Sequence, residues 1–313
     1  MASKSPEISI FIVHWNRPVE LIASLHSLAE QTNCNLQIVV FDNGSSKENL
    51  DKLKSLLPSS ATLPVTLIEG GENFGWGKAL NKMLRPWLSE SNPDSIKEFC
   101  AVSAHDALLN PSCIETLLQA MQTDEHIGIA SPDHAGQSLR TTYSPLRGAK
   151  VIAREAPANN IEDADYAHGT LFMLRRQCLE EIGLFDERFF AYGDEADLSL
   201  RARSKNWRVV ICHQAKITNP ISGTSKPALY FLDARNSLLL AEIHGNKLLA
   251  LLRALAICLK SLVRIFTGQD NDGIERAKLL GAQSYLFRHW GAPPANLSLW
   301  QDKPTILTAG GDD

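Results

Sequence analysis

Acidic residues in the stretch LFDERFFAYGDEADLSLR, Leu184 to Arg201, are the strongest candidates for chemistry, because an aromatic run there breaks at Gly193 into Asp194, Glu195 and Asp197. A helical pattern follows. Spacing gives two of these acids structural work: Asp194 can cap the helix while Asp197 reaches back in capping-box fashion, and Asp197 also stands i,i+4 from Arg201. Glu195 has no such duty. In the first helical turn the helix dipole favours its ionised form, so its carboxylate can be presented at a cleft edge. Read structurally, the same acids are no more than a helix start.

The elements before this stretch set where a cleft can lie. An apolar run from Ile8 to Val13, an amphipathic segment from Pro18 to Glu30 and a second apolar run from Leu36 to Phe41 make a βαβ pattern. Both runs are short and rich in β-branched residues, as strands buried on both faces are. A right-handed crossover then puts His14-Trp15-Asn16 and Asp42-Asn43-Gly44-Ser45 together at the carboxyl ends of the strands, where such sheets bind ligands. No GxGxxG follows the first strand, which disfavours a dinucleotide-binding dehydrogenase. Further strands are expected at Val65 to Ile68, Glu98 to Ser103, Ile127 to Ser131, Leu171 to Leu174 and Arg208 to His213, with Pro132 to Asp165 the least regular part.

Composition describes a well-cored protein of 313 residues, 44% hydrophobic and 21% charged, with a formal net charge of -4. That length suits one large domain and a smaller one. With 31 basic against 35 acidic residues there is no global attraction to nucleic acid. Six cysteines without a CxxC pair read as reduced core residues. MASKSPE runs into the first strand without an apolar signal region, so a cytoplasmic location is expected.

Several segments together resemble the family 2 glycosyltransferases, especially their rhamnosyltransferase-like branch. FDERFFAYGDEADLSLR is similar to the family's FDE-x-FF-x-Y-x-ED-x-D-L-x-x-R, whose second acid of the Glu-Asp pair is the catalytic base; Glu195 matches it. The pair is inverted here to Asp194-Glu195, and either acid remains a candidate base. ISIFIVHWNRP, IVVFDNGS and ENFGWGKALN resemble the nucleotide-side motifs VSVIIVTYNRP, IIVVDNGS and ENLGFAGGNN. The resemblance implies an α/β GT-A fold with a Rossmann-like, mainly parallel sheet. It also implies that the backbone near Trp15 and Asn16 and the carboxylate of Asp42 hold the nucleotide base, with Asn73 and the turn Gly75 to Gly77 at the diphosphate sugar. A carboxylate can accept the ring N–H of uracil or thymine, and glycines allow a backbone to approach a ligand. Alone, Asp42-Asn43-Gly44 would read as a plain turn.

The same resemblance places a divalent-cation motif at AHDALLNPSCIETLL, commonly NDDT or another DxD. Asp106 is kept, with a helix expected from Pro111, but Ala104 and His105 occupy positions that are usually polar or acidic. Asn219 stands where a downstream histidine often completes the site. A hard cation (Mn or Mg) bound to a diphosphate takes oxygen ligands and needs few carboxylates, so Asp106 and Asn219 form a retuned metal site or mark metal-independent transfer. His105 and His213 read as satisfied structural histidines. Arg140, Arg147 and Lys226 are candidates to offset leaving-group charge.

Beyond about residue 226 the pattern is helical. The boundaries expected are a GT-A nucleotide-sugar-binding and catalytic domain over 1–225 and a helical C-terminal region over 226–313 with a frayed tail from Asp302. In NKLLALLRALAICLKSLVRIFTG, Arg253, Lys260 and Arg264 fall on one side and leave a broad leucine and isoleucine face. These charges exclude a simple membrane span. The helix at 247–266 therefore packs on the catalytic domain or lies on anionic lipid at the inner face of a membrane. The function read from all this is an inverting transfer of a sugar from a nucleotide diphosphate donor (a dTDP- or UDP-sugar, dTDP-rhamnose among them) to a hydroxyl of a glycan or lipid-linked acceptor, with acceptor choice in residues 135–170. The alternative is a non-catalytic sugar-nucleotide or glycan-binding subunit with a degenerate metal site.

Overall fold

The computed structural model describes residues 7–60, 63–92, 95–155, 157–219, 222–297 and 300–305. The first half alternates strand and helix: β1 (Glu7–His14), α1 (Pro18–Ala29), β2 (Asn35–Asp42), α2 (Lys47–Ser60), β3 (Val65–Glu69), α3 (Trp76–Leu88), β4 (Phe99–Ala104), β5 (Leu108–Leu109) and α4 (Cys113–Thr123). Then come β6 (Ile127–His134), β7 (Ser138–Ser144), β8 (Gly148–Arg154), β9 (Ile161–Asp163), β10 (Leu171–Arg175), α5 (Arg176–Ile182), α6 (Asp194–Ser204), β11 (Arg208–Thr218) and β12 (Ser222–Thr224). Three helices, α7 (Lys226–His244), α8 (Lys247–Phe266) and α9 (Ile274–Leu286), precede β13 (Trp300–Thr305).

The main sheet has nine strands, ordered β3-β2-β1-β4-β10-β6-β11-β5 with β9 also on β11. Strands β1 to β4 run parallel, and β10 is inserted antiparallel between β4 and β6. Alternation along β1 explains the two layers. Ile8, Ile10 and Ile12 pack with Leu21, Leu25 and Leu28 of α1, whereas Phe11 and Val13 face Leu80, Met83 and Leu84 of α3. Both faces of the strand are therefore buried, as its unbroken apolar run requires. Cys100, Cys113, Cys178 and Cys212 are buried free thiols within these layers.

Register delivers the site. His14 pairs with Asp42 at the ends of β1 and β2, and Val13 pairs with Ala104 at the end of β4, so three strand ends meet at one edge. Two expectations need correction. The stretch 132–165 carries regular structure: β7 and β8 form a seven-pair antiparallel hairpin within it. The tail expected to fray contributes residues 302–305 to β13, which pairs with β12; 306–313 lie outside the described residues.

The C-terminal helices share a core with the α/β part. Leu238, Leu239 and Leu240 of α7 and Ala282 and Tyr285 of α9 pack with Tyr166, Phe189 and Ala196. Helix α7 starts where Ser225 Oγ accepts from Ala228 N at 3.3 Å. Gly281 makes the α7 and α9 approach possible, because a Cβ there would collide with the Phe231 carbonyl.

Candidate active site

The acidic stretch is held by an unusual loop. Phe190 (φ 66°), Tyr192 (φ 67°) and Gly193 (φ 89°) all have left-handed backbone, which costs free energy at the two aromatic residues. Partners on α7 offset that cost. Asn236 Nδ2 donates to the carbonyls of Phe189 (3.0 Å), Ala191 (2.7 Å) and Tyr192 (2.7 Å), and Arg235 Nη2 donates to Phe189 O at 2.8 Å. Burial pulls the Arg235 guanidinium down to about 10, and it remains a donor at neutral pH. On the other side Phe190 O accepts from Trp76 N at 2.5 Å, tying this loop to the start of α3.

Helix α6 corrects the capping expectation. Its N-cap is Gly193 with no side-chain cap, and Asp194 is the first helical residue. Asp197 instead binds Arg201 Nε (2.8 Å), as its spacing predicts, and His244 Nε2 (2.9 Å). Glu195, expected to have no local partner, accepts from Gly193 N through Oε2 at 3.0 Å. Its Oε1 faces Gly169, where an added Cβ would lie 3.7 Å away.

The two neighbouring acids therefore differ. Asp194 is 1% exposed, its Oδ2 has no hydrogen-bond partner among the described residues, and a Cβ on Gly77 would come within 3.1 Å of it. Burial, reinforced by the Glu195 carboxylate beside it, pushes the Asp194 carboxyl well above the usual range. Glu195 is half-buried and keeps partial access to solvent.

On the nucleotide side the expected loops converge and lock each other. Asn73 Oδ1 accepts from Asn43 Nδ2 and Gly75 N, both at 3.0 Å, while Asn43 Oδ1 accepts from Phe74 N at 2.9 Å. Asn16 (φ 56°) accepts from Ser46 N at 2.7 Å. The glycines have an internal reason: Gly75 (φ 83°) lies against the Phe190 backbone and Gly77 against Asp194 and Phe185. Asp42 is also not the open acceptor that the sequence suggests. It is 1% exposed, with Oδ1 on His14 Nδ1 (2.9 Å) and Oδ2 on Ser45 N (3.1 Å). Arg17 N donates to His14 Nε2, which leaves Nδ1 as the donor to Asp42. Burial opposes ionisation of Asp42, but these hydrogen bonds outweigh it and hold its pKa below the usual value.

At the third strand end, Asp106 Oδ2 lies 3.5 Å from Arg17 Nη1. Antiparallel pairing of Thr218 with Leu108 brings Asn219 beside the turn that carries Asp106. Asn219 Oδ1 is buried and, among the described residues, has no partner, while its Nδ2 lies 3.5 Å from Thr170 Oγ1. An orphaned amide oxygen on the strand end that pairs beside the Asp106 turn fits a hard cation that takes its other ligands from diphosphate and water. No group of three or more His, Cys, Asp or Glu side chains among the described residues is arranged to hold a metal. His105 donates through Nδ1 to Val13 O at 3.3 Å, and burial lowers its pKa. His213 binds Asp133 Oδ2 at 3.0 Å, the structural role expected of it.

An open cavity of about 730 Å³ is lined by His134, Gln137, Ser138, Arg154, Glu155 and Lys216. The His134 ring meets His168 edge-on with centroids 4.7 Å apart. Burial, with His134 adding to it, pulls the His168 imidazole down to about 3.

A family model for glycosyl transferase family 2 matches residues 9–183, more than half of the chain. The chain belongs to glycosyl transferase family 2. It is 27% identical over 253 residues to the low-salt glycan biosynthesis hexosyltransferase Agl10 of Haloferax volcanii, covering 77% of each chain. It is 26% identical over 218 residues to the N-acetylglucosaminyl-diphospho-decaprenol L-rhamnosyltransferase of Mycobacterium tuberculosis, 62% of this chain and 69% of that one. Among solved structures, the mannosyltransferase PcManGT of Pyrobaculum calidifontis, in complex with GDP-Man and Mn2+, superposes with TM-score 0.57 at 16% identity, over 92% and 89% of the two chains. GalNAc-T7 with UDP, GalNAc and Mn2+ gives TM-score 0.58 at 14% identity, over 69% of this chain and 44% of that one. The fold is GT-A.

In this glycosyltransferase the sequence reading placed His14 and Asn43 at the ligand edge without giving them a role, and it missed Arg17, Arg235 and Asn236. Arg235 and Asn236 did leave a signal, two polar side chains inside an apolar helix that must find partners when buried. Arg17, not Arg140, Arg147 or Lys226, is the basic side chain beside Asp106. The raised Asp194 pKa makes a stability prediction. The unfolded chain releases this proton near pH ~4, whereas the folded state holds it longer, so its contribution is full below that pH and is lost as pH rises through the folded value. Asp194→Asn should flatten the denaturation midpoint against pH above about pH 4 and be the more stable protein at neutral pH. Identical curves for the two proteins would show that no such proton is held.

Proposed function

We propose that this glycosyltransferase moves a sugar from a nucleotide diphosphate donor, a dTDP- or UDP-sugar with dTDP-rhamnose among them, to a hydroxyl of a glycan or lipid-linked acceptor, inverting the anomeric centre. The supporting observation is the half-buried Glu195 carboxylate, held on Oε2 by Gly193 N with Oε1 facing Gly169. Glu195 takes the acceptor's proton as its oxygen attacks the anomeric carbon. The bond to the diphosphate breaks on the opposite side, and a single displacement inverts the centre. Asp194, buried against Gly77, is not the base in this reading.

Trp15, Asn16, Asp42, Asn73, Gly75 and Gly77 build the nucleotide side, with Asp42 acting through the His14 and Ser45 contacts that shape the base pocket. The cavity beside His134 and His168 takes the acceptor. A divalent cation, Mn or Mg, held by Asp106 and Asn219, would stabilise the departing diphosphate. Arg17 stands beside the same carboxylate to share that task. The names of the relatives, one acting on a diphospho-decaprenol, favour a lipid-linked acceptor met at the inner face of a membrane, with the chain otherwise in the cytoplasm. Residues 1–225 would form the nucleotide-sugar-binding and catalytic unit and 226–313 its helical brace.

Glu195→Gln keeps size and helix propensity but removes the proton acceptor. Turnover of the cognate nucleotide sugar should fall by roughly 100-fold or more with donor affinity nearly unchanged, whereas Asp194→Asn should stay within about tenfold of the parent. The reverse ranking in a steady-state assay would make Asp194 the base. Asp106→Asn should weaken donor binding and its dependence on Mn2+ together in a thermal-shift panel. Full wild-type turnover in chelator would remove the cation from the reading.

A further inference from the structure

Helix α8 is packed with its amphipathic face reversed. The residues it buries are Ala250, Ala254 and Ser261. Its large apolar side chains point to solvent: Leu248 is 67% exposed, Val263 61% and Phe266 86%, and Leu251, Leu252, Leu255, Leu259 and Leu262 are exposed with them. At 100° per residue these eight fall within one arc of about 120° that runs the length of the helix. Two of the helix's basic residues, expected to share a solvent side with Lys260, instead turn inward. Arg253 Nη1 donates to Pro145 O at 2.8 Å and Arg264 Nη1 to Glu275 Oε1 at 3.2 Å. A helix that merely braced the catalytic domain would bury its leucines, so simple packing does not explain α8. An exposed continuous apolar face of this kind marks an interaction surface.

We propose that α8 docks on an anionic lipid surface, lying in the interface with its leucine row in the acyl boundary. Charge selects this occupant over a second copy of the chain. Exposed Lys247 and Lys260 border the apolar arc on its two margins, and α8 contains no acidic residue. Two copies joined leucine row to leucine row would bring lysine margins together without carboxylates from the helix to pair with them; lipid phosphates supply the missing charge. No described helix is long and apolar enough to cross a membrane, so α8 lies on the surface. Leu146, 66% exposed at the turn between β7 and β8, sits next to the Pro145 carbonyl that Arg253 holds, and adds a second apolar contact. The other end of that hairpin carries Arg154 and Ser138 of the cavity. On the acceptor reading given above, docking would bring the cavity to the surface where a lipid-linked sugar is presented.

Full-length protein should sediment with phosphatidylcholine vesicles containing phosphatidylglycerol at low salt, bind pure phosphatidylcholine vesicles more weakly, and be partly released by added salt. The double variant Leu255→Gln/Leu259→Gln should lower the bound-to-free ratio by about tenfold or more. Its melting temperature should not change, because both side chains already face water. Lys247→Gln and Lys260→Gln should each weaken binding to the anionic vesicles by roughly fivefold. Donor hydrolysis by the leucine variant should equal the parent's, which separates this surface from the roles given to Glu195 and Asp106. Absence of sedimentation at low salt would overturn the proposal. So would a dimer in light scattering that the leucine variant splits while neither protein binds vesicles, since the face would then belong to a second copy.

Discussion

The site depends on one side chain reading three carbonyls. Asn236 of α7 donates to Phe189, Ala191 and Tyr192, and Arg235 adds a fourth contact from the same turn of helix. Backbone with positive φ at two aromatic residues is uphill by itself and persists where surrounding structure over-determines it. That loop then presents Phe190 O to Trp76 N and Gly193 N to Glu195 Oε2. The start of α3 and the start of α6 are thus set relative to each other by hydrogen bonds that originate on a C-terminal helix. That separation is maintained from outside the region that the family model matches.

The same packing divides labour between adjacent acids. Asp194 lies against the space that Gly77 leaves, where burial and the neighbouring carboxylate raise its pKa well above the usual range. One helical position further, Glu195 faces Gly169 with Oε1. Two like charges a residue apart cannot both be desolvated cheaply, and the deeper burial falls on Asp194 while Glu195 stays half-buried. The strand-end histidine His14 plays a comparable part for Asp42 by donating from Nδ1, which lets a buried carboxylate remain charged.

Much of the fold could be read directly. Short β-branched runs marked β1 and β2, and the turn chemistry after them located the ligand edge. Side-chain aim could not be read. Capping statistics assign Asp194 to the cap and leave Glu195 idle, yet Gly193 with its left-handed φ is the cap and Glu195 accepts from its N–H. The glycines of the Gly75 to Gly77 turn suggested ligand approach, but their missing Cβ atoms make room for Phe190 and Asp194 across more than a hundred residues of sequence. For α8 the periodicity was legible and the orientation was not: hydrophobic pattern defines a face, and only tertiary contacts decide whether that face turns inward.

A double-mutant cycle on turnover of the nucleotide sugar, pairing Asn236→Ala with Glu195→Gln, tests whether the clamp acts through the base. If it does, Asn236→Ala costs turnover in the parent and adds little once Glu195 is Gln, so the coupling energy approaches the cost of Asn236→Ala alone. Equal costs in both backgrounds would show that the α7 clamp and the Glu195 carboxylate work independently, and would contradict the account.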